Sequence, residues 1–155
     1  MRIRYLLSLI NNHHHHHRYH DRHKDNVAIT YLRKVLFHFF YIASGTGRYQ
    51  YDSKAFLFSL VNKPGWAPVK LSQSGQYSSY KYSIYFYSSY GPTFGGGHDI
   101  NIKNYASSNS NSYSNLGHTY SPPSGYSYTS TFARTFLAGT YKFTPDEVET
   151  FYETT

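Results

Sequence analysis

The segment that decides the fold is KYSIYFYSSYGPTFGGGHDINIK, residues 81–103. Its first part, residues 81–86, has the two-residue period of a strand, with one face formed by Tyr82, Ile84 and Phe86. The glycine-rich centre, residues 91–97, predicts a break in the chain. A second alternating stretch follows, with one face formed by His98, Ile100 and Ile102 and the other by Asp99, Asn101 and Lys103. The segment therefore predicts two strands joined by a glycine-rich connection.

Two other apolar segments also predict strands. Residues 55–61 form a short apolar run that ends at a turn, and residues 131–137 place two phenylalanines on one face. Aromatic residues make up 20% of the chain, which favours a mainly β domain. Residues 104–130, rich in Ser, Asn and Pro, predict a long loop. The predicted core contains Phe56, Phe58, Ile84, Ile100 and Phe132.

The C-terminus gives a local helix signal. Residues 144–147 are Thr-Pro-Asp-Glu, which place a capping Thr before a Pro at the first helical position and a Glu at the third. Local rules alone therefore predict a helix at the end of the chain.

The first 48 residues differ from the rest in charge. They contain eight Lys and Arg and two Asp, a net charge of +6, whereas residues 49–155 contain seven basic and six acidic residues, a net charge of +1. The near neutrality of the longer part argues against a nucleic-acid partner, which needs a basic folded surface. Five consecutive histidines, residues 13–17, are interpreted as a low-complexity tract rather than as a metal site. The apolar spacing of residues 27–42 predicts a helix.

The remaining composition favours a soluble, cytoplasmic protein. The chain has no cysteine, and none of its asparagines lies in a glycosylation sequon. The apolar run near Met1 is too short for a signal peptide. Arg33 and Lys34 interrupt the second apolar run, so we expect no membrane insertion.

The glycine-rich string is the main candidate site, and its members are Gly91, Pro92, Thr93, Phe94, Gly95, Gly96, Gly97, His98 and Asp99. Backbone amides of consecutive glycines can cradle an anion. The string lacks the Lys-Ser/Thr of a P-loop, and the chain lacks the spacing of a dinucleotide fingerprint. We therefore interpret the glycines as a tight structural connection.

Metal binding or acid–base catalysis would fall to His98, Asp99 and His118. Neighbouring strand positions face opposite sides, so His98 and Asp99 are not expected to share a site. Asp99 is expected to cap the glycine loop by accepting backbone amides. The chain has no Gly-x-Ser-x-Gly elbow. We therefore predict no enzymatic activity, catalytic residue, metal or cofactor, and Trp66 remains a candidate contact for a partner protein or a cover over the core.

Four segments resemble the TLDc (TLD) domain family, and together they span about residues 49–155. They are Lys54-Ala55-Phe56-Leu57-Phe58-Ser59-Leu60, Ser89-Tyr90-Gly91-Pro92-Thr93-Phe94-Gly95-Gly96-Gly97-His98-Asp99-Ile100, Asn111-Ser112-Tyr113-Ser114-Asn115-Leu116-Gly117 and Phe143-Thr144-Pro145-Asp146-Glu147-Val148-Glu149. The resemblance implies a two-sheet antiparallel β-sandwich in which Glu147 to Tyr152 form the last strand. It also implies a non-catalytic protein-binding role in oxidative-stress resistance, with the vacuolar proton pump as a partner.

Upstream of that region the resemblance stops. Residues 1–48 are interpreted as a divergent, basic, His-rich extension that is disordered or partly helical, and residues 49–155 as a TLDc-like domain that is incomplete at its N-terminal side. Two other functions stay open on the residues alone. One is a self-associating structural protein rich in Tyr and Ser, and the other is a hydrolase or oxidative-defence enzyme that uses His98 and His118.

Overall fold

Antiparallel pairing organises the chain into two sheets that pack as a sandwich. The computed structural model describes residues 5–11, 26–32, 47–62, 64–74, 81–128 and 130–152. In these ranges, eleven strands form one sheet of five strands and one of six. The predicted fold class is confirmed.

The six-stranded sheet contains the segment from which the fold was predicted. Its strands are β3 (Arg48–Gln50), β6 (Ile84–Phe86), β7 (Tyr90–Phe94), β8 (Ile100–Lys103), β9 (Ser112–Ser114) and β10 (Lys142–Phe143). They lie in the order β10-β9-β8-β7-β6-β3. Part of the predicted glycine-rich break, residues 91–94, therefore belongs to a strand. The break itself is confined to the turn that follows Phe94.

The five-stranded sheet joins both ends of the chain to its middle. Its strands are β1 (Tyr5–Asn11), β2 (Asn26–Leu32), β4 (Phe56–Val61), β5 (Val69–Ser72) and β11 (Glu147–Tyr152). They lie in the order β11-β1-β2-β4-β5. The strand predicted over residues 55–61 is confirmed.

The N-terminal region contributes two strands that the sequence did not predict. Residues 26–32 form β2, so the helix predicted over residues 27–42 is wrong there, and the rest of that range lies outside the described residues. The interpretation of residues 1–48 as a disordered or partly helical extension is therefore wrong for β1 and β2. Both strands gain hydrogen-bonding neighbours on each side, since β1 lies between β11 and β2 and β2 lies between β1 and β4. Such pairing outweighs the weak helix spacing, and Val27, Ile29 and Thr30 favour strands as β-branched residues.

The C-terminal segment is a strand, as the family resemblance implied. β11 pairs antiparallel with β1, and Leu9 lies opposite Val148 in the register. The helix predicted from the capping signal is wrong, because a sheet partner satisfies the backbone groups that a short helix would leave exposed.

A short helix replaces the strand predicted over residues 131–137. Helix α1 spans Thr131–Phe136, and the side chain of Ser130 caps it by accepting a hydrogen bond from the amide of Ala133, with an N–O distance of 3.1 Å. Phe132 and Phe136 are four residues apart, a spacing that suits one helical face as well as one strand face. No helix in the described part of the chain is long and apolar enough to cross a membrane.

The core lies between the two sheets. Leu57 and Leu71 from the five-stranded sheet pack in one buried cluster with Phe94 and Ile100 from the six-stranded sheet, and each is at most 2% exposed. The prediction of buried Ile100 is confirmed, as is that of Ile84.

Strand β4 presents to the core the face opposite to the one predicted. Leu57 and Ser59 are buried, whereas Phe56 and Phe58 are only half-buried, as is Phe132 on α1. The prediction of buried Phe56, Phe58 and Phe132 is therefore wrong. An apolar run has no polar positions that mark its outward side. The sequence therefore did not show which alternate residues of the strand face the core.

One pair of variants tests which face of β4 is turned toward the core. We expect Leu57→Ala to lower the free energy of unfolding by about 3 kcal/mol, because it opens a cavity in the core. Phe58→Ala is expected to cost less than about 2 kcal/mol, since Phe58 is only partly buried in the folded protein. Urea denaturation of the whole chain measures both. A larger loss for Phe58→Ala would reverse the assignment of the two faces.

Candidate functional site

The glycine string ends in a tight turn over residues 95–98. Gly95 has a φ of 88°, and a Cβ atom at this position would overlap the carboxylate of Asp99. A Cβ at Gly97 would overlap the ring of His118. Gly96 is less restricted, because a Cβ there would lie 3.1 Å from the nearest side-chain atom. Two of the three glycines are therefore required by close packing.

Backbone groups of this turn are bonded within the chain. The amide of Gly95 donates to the carbonyl of Ser83 at 3.1 Å, and the amide of Gly96 donates to the hydroxyl of Thr119 at 2.8 Å. The carbonyl of Gly97 accepts from the side chain of Asn115 at 3.2 Å. These two amides are consequently not available to bind an anion, and they serve the fold.

Asp99 lies fully buried beneath the turn. Its carboxylate accepts from the amides of Gly117 at 2.6 Å, His118 at 2.9 Å, Thr119 at 2.9 Å and, more weakly, Tyr120 at 3.4 Å. Burial raises the pKa of the carboxyl to about 6, and the four amides oppose that rise. Asp99 was predicted to cap the glycine loop by accepting its backbone amides. That prediction is wrong, because the carboxylate accepts the amides of another loop. It caps residues 117–120, which pack against the glycine turn.

His98 points to the other side of the sheet. It adopts a φ of 54°, so the strand alternation predicted for residues 98–103 begins only after it. Its Nδ1 atom lies 2.8 Å from the hydroxyl oxygen of Tyr113, and its ring centroid lies 4.8 Å from that of Tyr85. Burial lowers the pKa of His98, and its electrostatic interactions with Lys103 and His118 lower it further. At neutral pH the imidazole is therefore uncharged.

The three residues considered for catalysis do not form one constellation. Asp99 bonds to backbone amides, His98 contacts Tyr113, and the ring of His118 contacts Asn115 and Tyr128. Among the described residues, no group of three or more His, Cys, Asp or Glu side chains is placed to hold a metal ion.

Aromatic rings cover the outer side of the six-stranded sheet. Neighbouring ring centroids lie 4.8–6.4 Å apart across this surface. We call it the tyrosine face, and it consists of Tyr49, Tyr82, Tyr85, Tyr87, Tyr90, Tyr113, Tyr141 and His98. Tyr49, Tyr82 and Tyr141 are about two-fifths exposed, at 39%, 42% and 41%. This surface was not predicted from the sequence, although the spacing of Tyr85 and Tyr87 was a signal of it.

The rings of the tyrosine face form a closed layer. Thr93 and Asn101 occupy outward positions of the sheet, because the register aligns Tyr85 with Thr93, Thr93 with Asn101 and Asn101 with Tyr113. Both polar residues are nevertheless almost completely buried, and the amide of Asn101 donates to the hydroxyl of Thr93 at 2.9 Å. Polar side chains on an outer face are buried only when other side chains lie over them, so the aromatic layer excludes water.

Positive charge accompanies the tyrosine face. The ammonium group of Lys103 lies 3.7 Å from the ring centroid of Tyr90 and 5.7 Å from that of Tyr113. The guanidinium of Arg134 lies 5.5 Å from the ring centroid of Tyr141. The six strands of this sheet contain no Asp or Glu, and the register places Lys103 opposite Tyr90 and Lys142 opposite Tyr113, on the outer side. The surface is thus aromatic and basic.

Trp66 lies away from the tyrosine face, against helix α1. Its ring centroid is 5.3 Å from that of Phe132 and 6.0 Å from that of Phe136, and the residue is 42% exposed. The amide of Trp66 donates to the side-chain oxygen of buried Asn62 at 2.9 Å. Trp66 therefore covers part of the core with one side of its ring and leaves the other side accessible.

A comparison with known families finds one matching family model. A family model of the TLDc domain matches residues 37–153, which is most of the chain. The chain belongs to the TLDc domain family. This TLDc domain shows no significant similarity to a curated protein or to a solved structure. The match begins upstream of residue 49, where the sequence analysis placed the start of the domain.

Proposed function

We propose that this TLDc domain is a non-catalytic protein-interaction module that binds its partner through the tyrosine face. The observation that supports the proposal is the combination of seven tyrosines and adjacent cations on one side of the six-stranded sheet. The Gly91–Asp99 string then acts as the structural support of this surface, because its turn positions His98.

The chemistry of the tyrosine face suits protein recognition. Tyr and Arg are enriched among the residues that contribute most to binding free energy. Tyrosine rings that already pack against each other lose little conformational entropy when a partner binds. The basic residues of this surface and the absence of Asp and Glu from its strands favour a partner with an acidic surface.

Family membership supplies the candidate process and partner. Proteins of the TLDc family share a role in protecting cells from oxidative damage, and several of them bind the vacuolar proton pump. We extend both to this chain as proposals, with a cytoplasmic location that gives access to the pump. Trp66 is a second candidate contact, because the residue is 42% exposed.

Binding to the purified vacuolar proton pump tests this proposal. We expect Lys103→Glu to weaken binding at least about thirtyfold, because a residue at the centre of an interface contributes about 2 kcal/mol or more. Lys54→Glu is the matched control, since Lys54 is exposed and lies outside the tyrosine face. Biolayer interferometry with the immobilised chain gives both dissociation constants.

The possible outcomes test the placement of the binding site and the choice of partner separately. Equal affinities for the Lys103 and Lys54 variants would contradict the placement of the binding site. Failure of the unaltered chain to bind would contradict the choice of the pump. Size exclusion over a range of concentrations covers the alternative of self-association, which would shift the elution volume of the chain without any partner.

A further inference from the structure

We propose that Tyr113 is a redox-active tyrosine that gives one electron to an oxygen-centred radical while its phenolic proton passes to His98. The tyrosine face then carries the oxidised state from Tyr113 to exposed tyrosines. This activity goes beyond partner binding and does not depend on it.

The contact between Tyr113 and His98 supplies the proton acceptor. When the imidazole carries its proton on Nε2, its Nδ1 atom accepts the hydrogen bond from the Tyr113 hydroxyl at 2.8 Å. The phenol loses one electron and becomes a far stronger acid, so its proton moves to Nδ1. The products are a neutral phenoxyl radical and an imidazolium. The attacking radical RO• becomes RO⁻ and takes up a proton from water to give ROH.

Both groups have the protonation state that this step needs. Burial raises the pKa of Tyr113 to about 12, so the phenol is protonated at neutral pH and its oxidation has to release a proton. Burial, Lys103 and His118 lower the pKa of His98, so its ring is neutral and able to accept that proton. Lys103 also lies over the Tyr113 ring and shields it from cationic oxidants.

A continuous set of aromatic contacts connects Tyr113 to the surface. On one side its ring centroid is 5.9 Å from that of Tyr141, which is 41% exposed. On the other side the His98 ring links it to Tyr85, whose centroid is 4.8 Å from that of Tyr49. An electron from Tyr141 reduces the Tyr113 phenoxyl, which takes its proton back from the His98 imidazolium. The exposed Tyr141 releases its own phenolic proton to water, so the radical then lies on Tyr141.

Sulfur-containing side chains hardly compete with tyrosine for an oxidant in this chain. It has no cysteine, and its one methionine is Met1. The single tryptophan, Trp66, belongs to a separate cluster with Tyr126, Phe132 and Phe136. Tyr105 provides a reference tyrosine, because it is 86% exposed and has no aromatic contact among those described.

Stopped-flow oxidation of the whole chain by hexachloroiridate(IV) tests the inference. This anionic, outer-sphere one-electron oxidant stands in for the oxygen-centred radical, and its loss of colour reports the rate. We expect a fast phase in the unaltered chain that is lost in Tyr113→Phe. His98→Asn should slow that phase about a hundredfold, the lower end of what a positioned proton acceptor contributes. Asn also tolerates the positive φ of this position.

Tyr105→Phe is the matched control and should leave the fast phase unchanged. Freeze-quenched electron paramagnetic resonance should detect a phenoxyl radical in the unaltered chain and in this control. Circular dichroism establishes which variants are folded, and Tyr113→Phe carries the test if His98→Asn unfolds. An unchanged fast phase in folded Tyr113→Phe, or its loss in Tyr105→Phe, would overturn the proposal.

Discussion

Replacing Asp99 with asparagine is expected to lower the free energy of unfolding by about 4–5 kcal/mol, a large part of the stability of a domain of this size. Asp99 is fully buried, and each of its two oxygens accepts at least one backbone amide. Asparagine keeps one oxygen and puts an NH₂ group where the other stood. That group meets the amide of Thr119 donor to donor, and the buried amide loses its partner. Urea denaturation of the whole chain measures the loss.

Protonation of Asp99 is not equivalent to this substitution, because a protonated carboxyl keeps both oxygens in place. The stability loss therefore comes from the missing acceptor. Lys54→Gln serves as the control for the removal of one charge, since Lys54 is exposed and a substitution there should change the free energy by less than about 0.5 kcal/mol. If Asp99→Asn unfolded at the same urea concentration as the unaltered chain, residues 117–120 would not depend on the Asp99 carboxylate.

The effect should spread from residues 117–120 to the glycine turn. The hydroxyl of Thr119 accepts the amide of Gly96, and the hydroxyl of Tyr120 donates to the carbonyl of Ser83 at 2.8 Å. The carbonyl of Ser83 also accepts a hydrogen bond from the amide of Gly95. One carboxylate thus fixes the loop that holds Gly95 and Gly96, the first half of the glycine turn, and through the turn it positions His98 on the tyrosine face.

Some elements could be predicted from sequence because local pattern and tertiary pairing agree. The alternation around Ile84 and Ile100 matches the burial of both residues. The last strand, Glu147–Tyr152, was predictable only from the family resemblance, because its own residues carry a helix signal. There the hydrogen bonds to β1 outweigh a capping preference that contributes about 1 kcal/mol.

Other elements could not be predicted because two periods fit the same residues. Phe132 and Phe136 are four apart, which satisfies both a helix and a strand, and the capping bond from Ala133 to Ser130 decides for the helix. The apolar spacing of residues 27–32 predicted a helix, but hydrogen bonding to β1 and β4 makes this segment a strand. In each case the deciding interaction involves a partner that the apolar pattern does not identify.

The candidate site was only partly accessible to sequence reasoning. The glycine string was evident from its composition, whereas the amides that Asp99 accepts lie 18 or more residues away in the chain. The tyrosine face gathers rings from Tyr49 to Tyr141 through the order of the strands, which no local pattern encodes. Surfaces assembled across a sheet depend on register, and register was not readable here.

Gly95 provides the second large effect, because two independent constraints act at one position. Its φ of 88° is in the left-handed region, where a residue with a Cβ is strained by about 1–3 kcal/mol. A Cβ there would also overlap the Asp99 carboxylate, which four backbone amides hold in place. Asp99 cannot move away without losing these hydrogen bonds, so the overlap adds to the backbone strain.

Gly95→Ala is therefore expected to cost about 4–6 kcal/mol, the sum of backbone strain and forced repacking in a buried site. Gly65→Ala is the matched control, because Gly65 has a similar φ of 73° and no atom within 4 Å of an added Cβ. It should cost only the backbone strain, about 1–2 kcal/mol. Thermal and urea unfolding of both variants separate the two contributions. Equal losses at Gly95 and Gly65 would show that the Asp99 carboxylate yields to the methyl group, and the close packing of the glycine turn on Asp99 would not be a constraint on the fold.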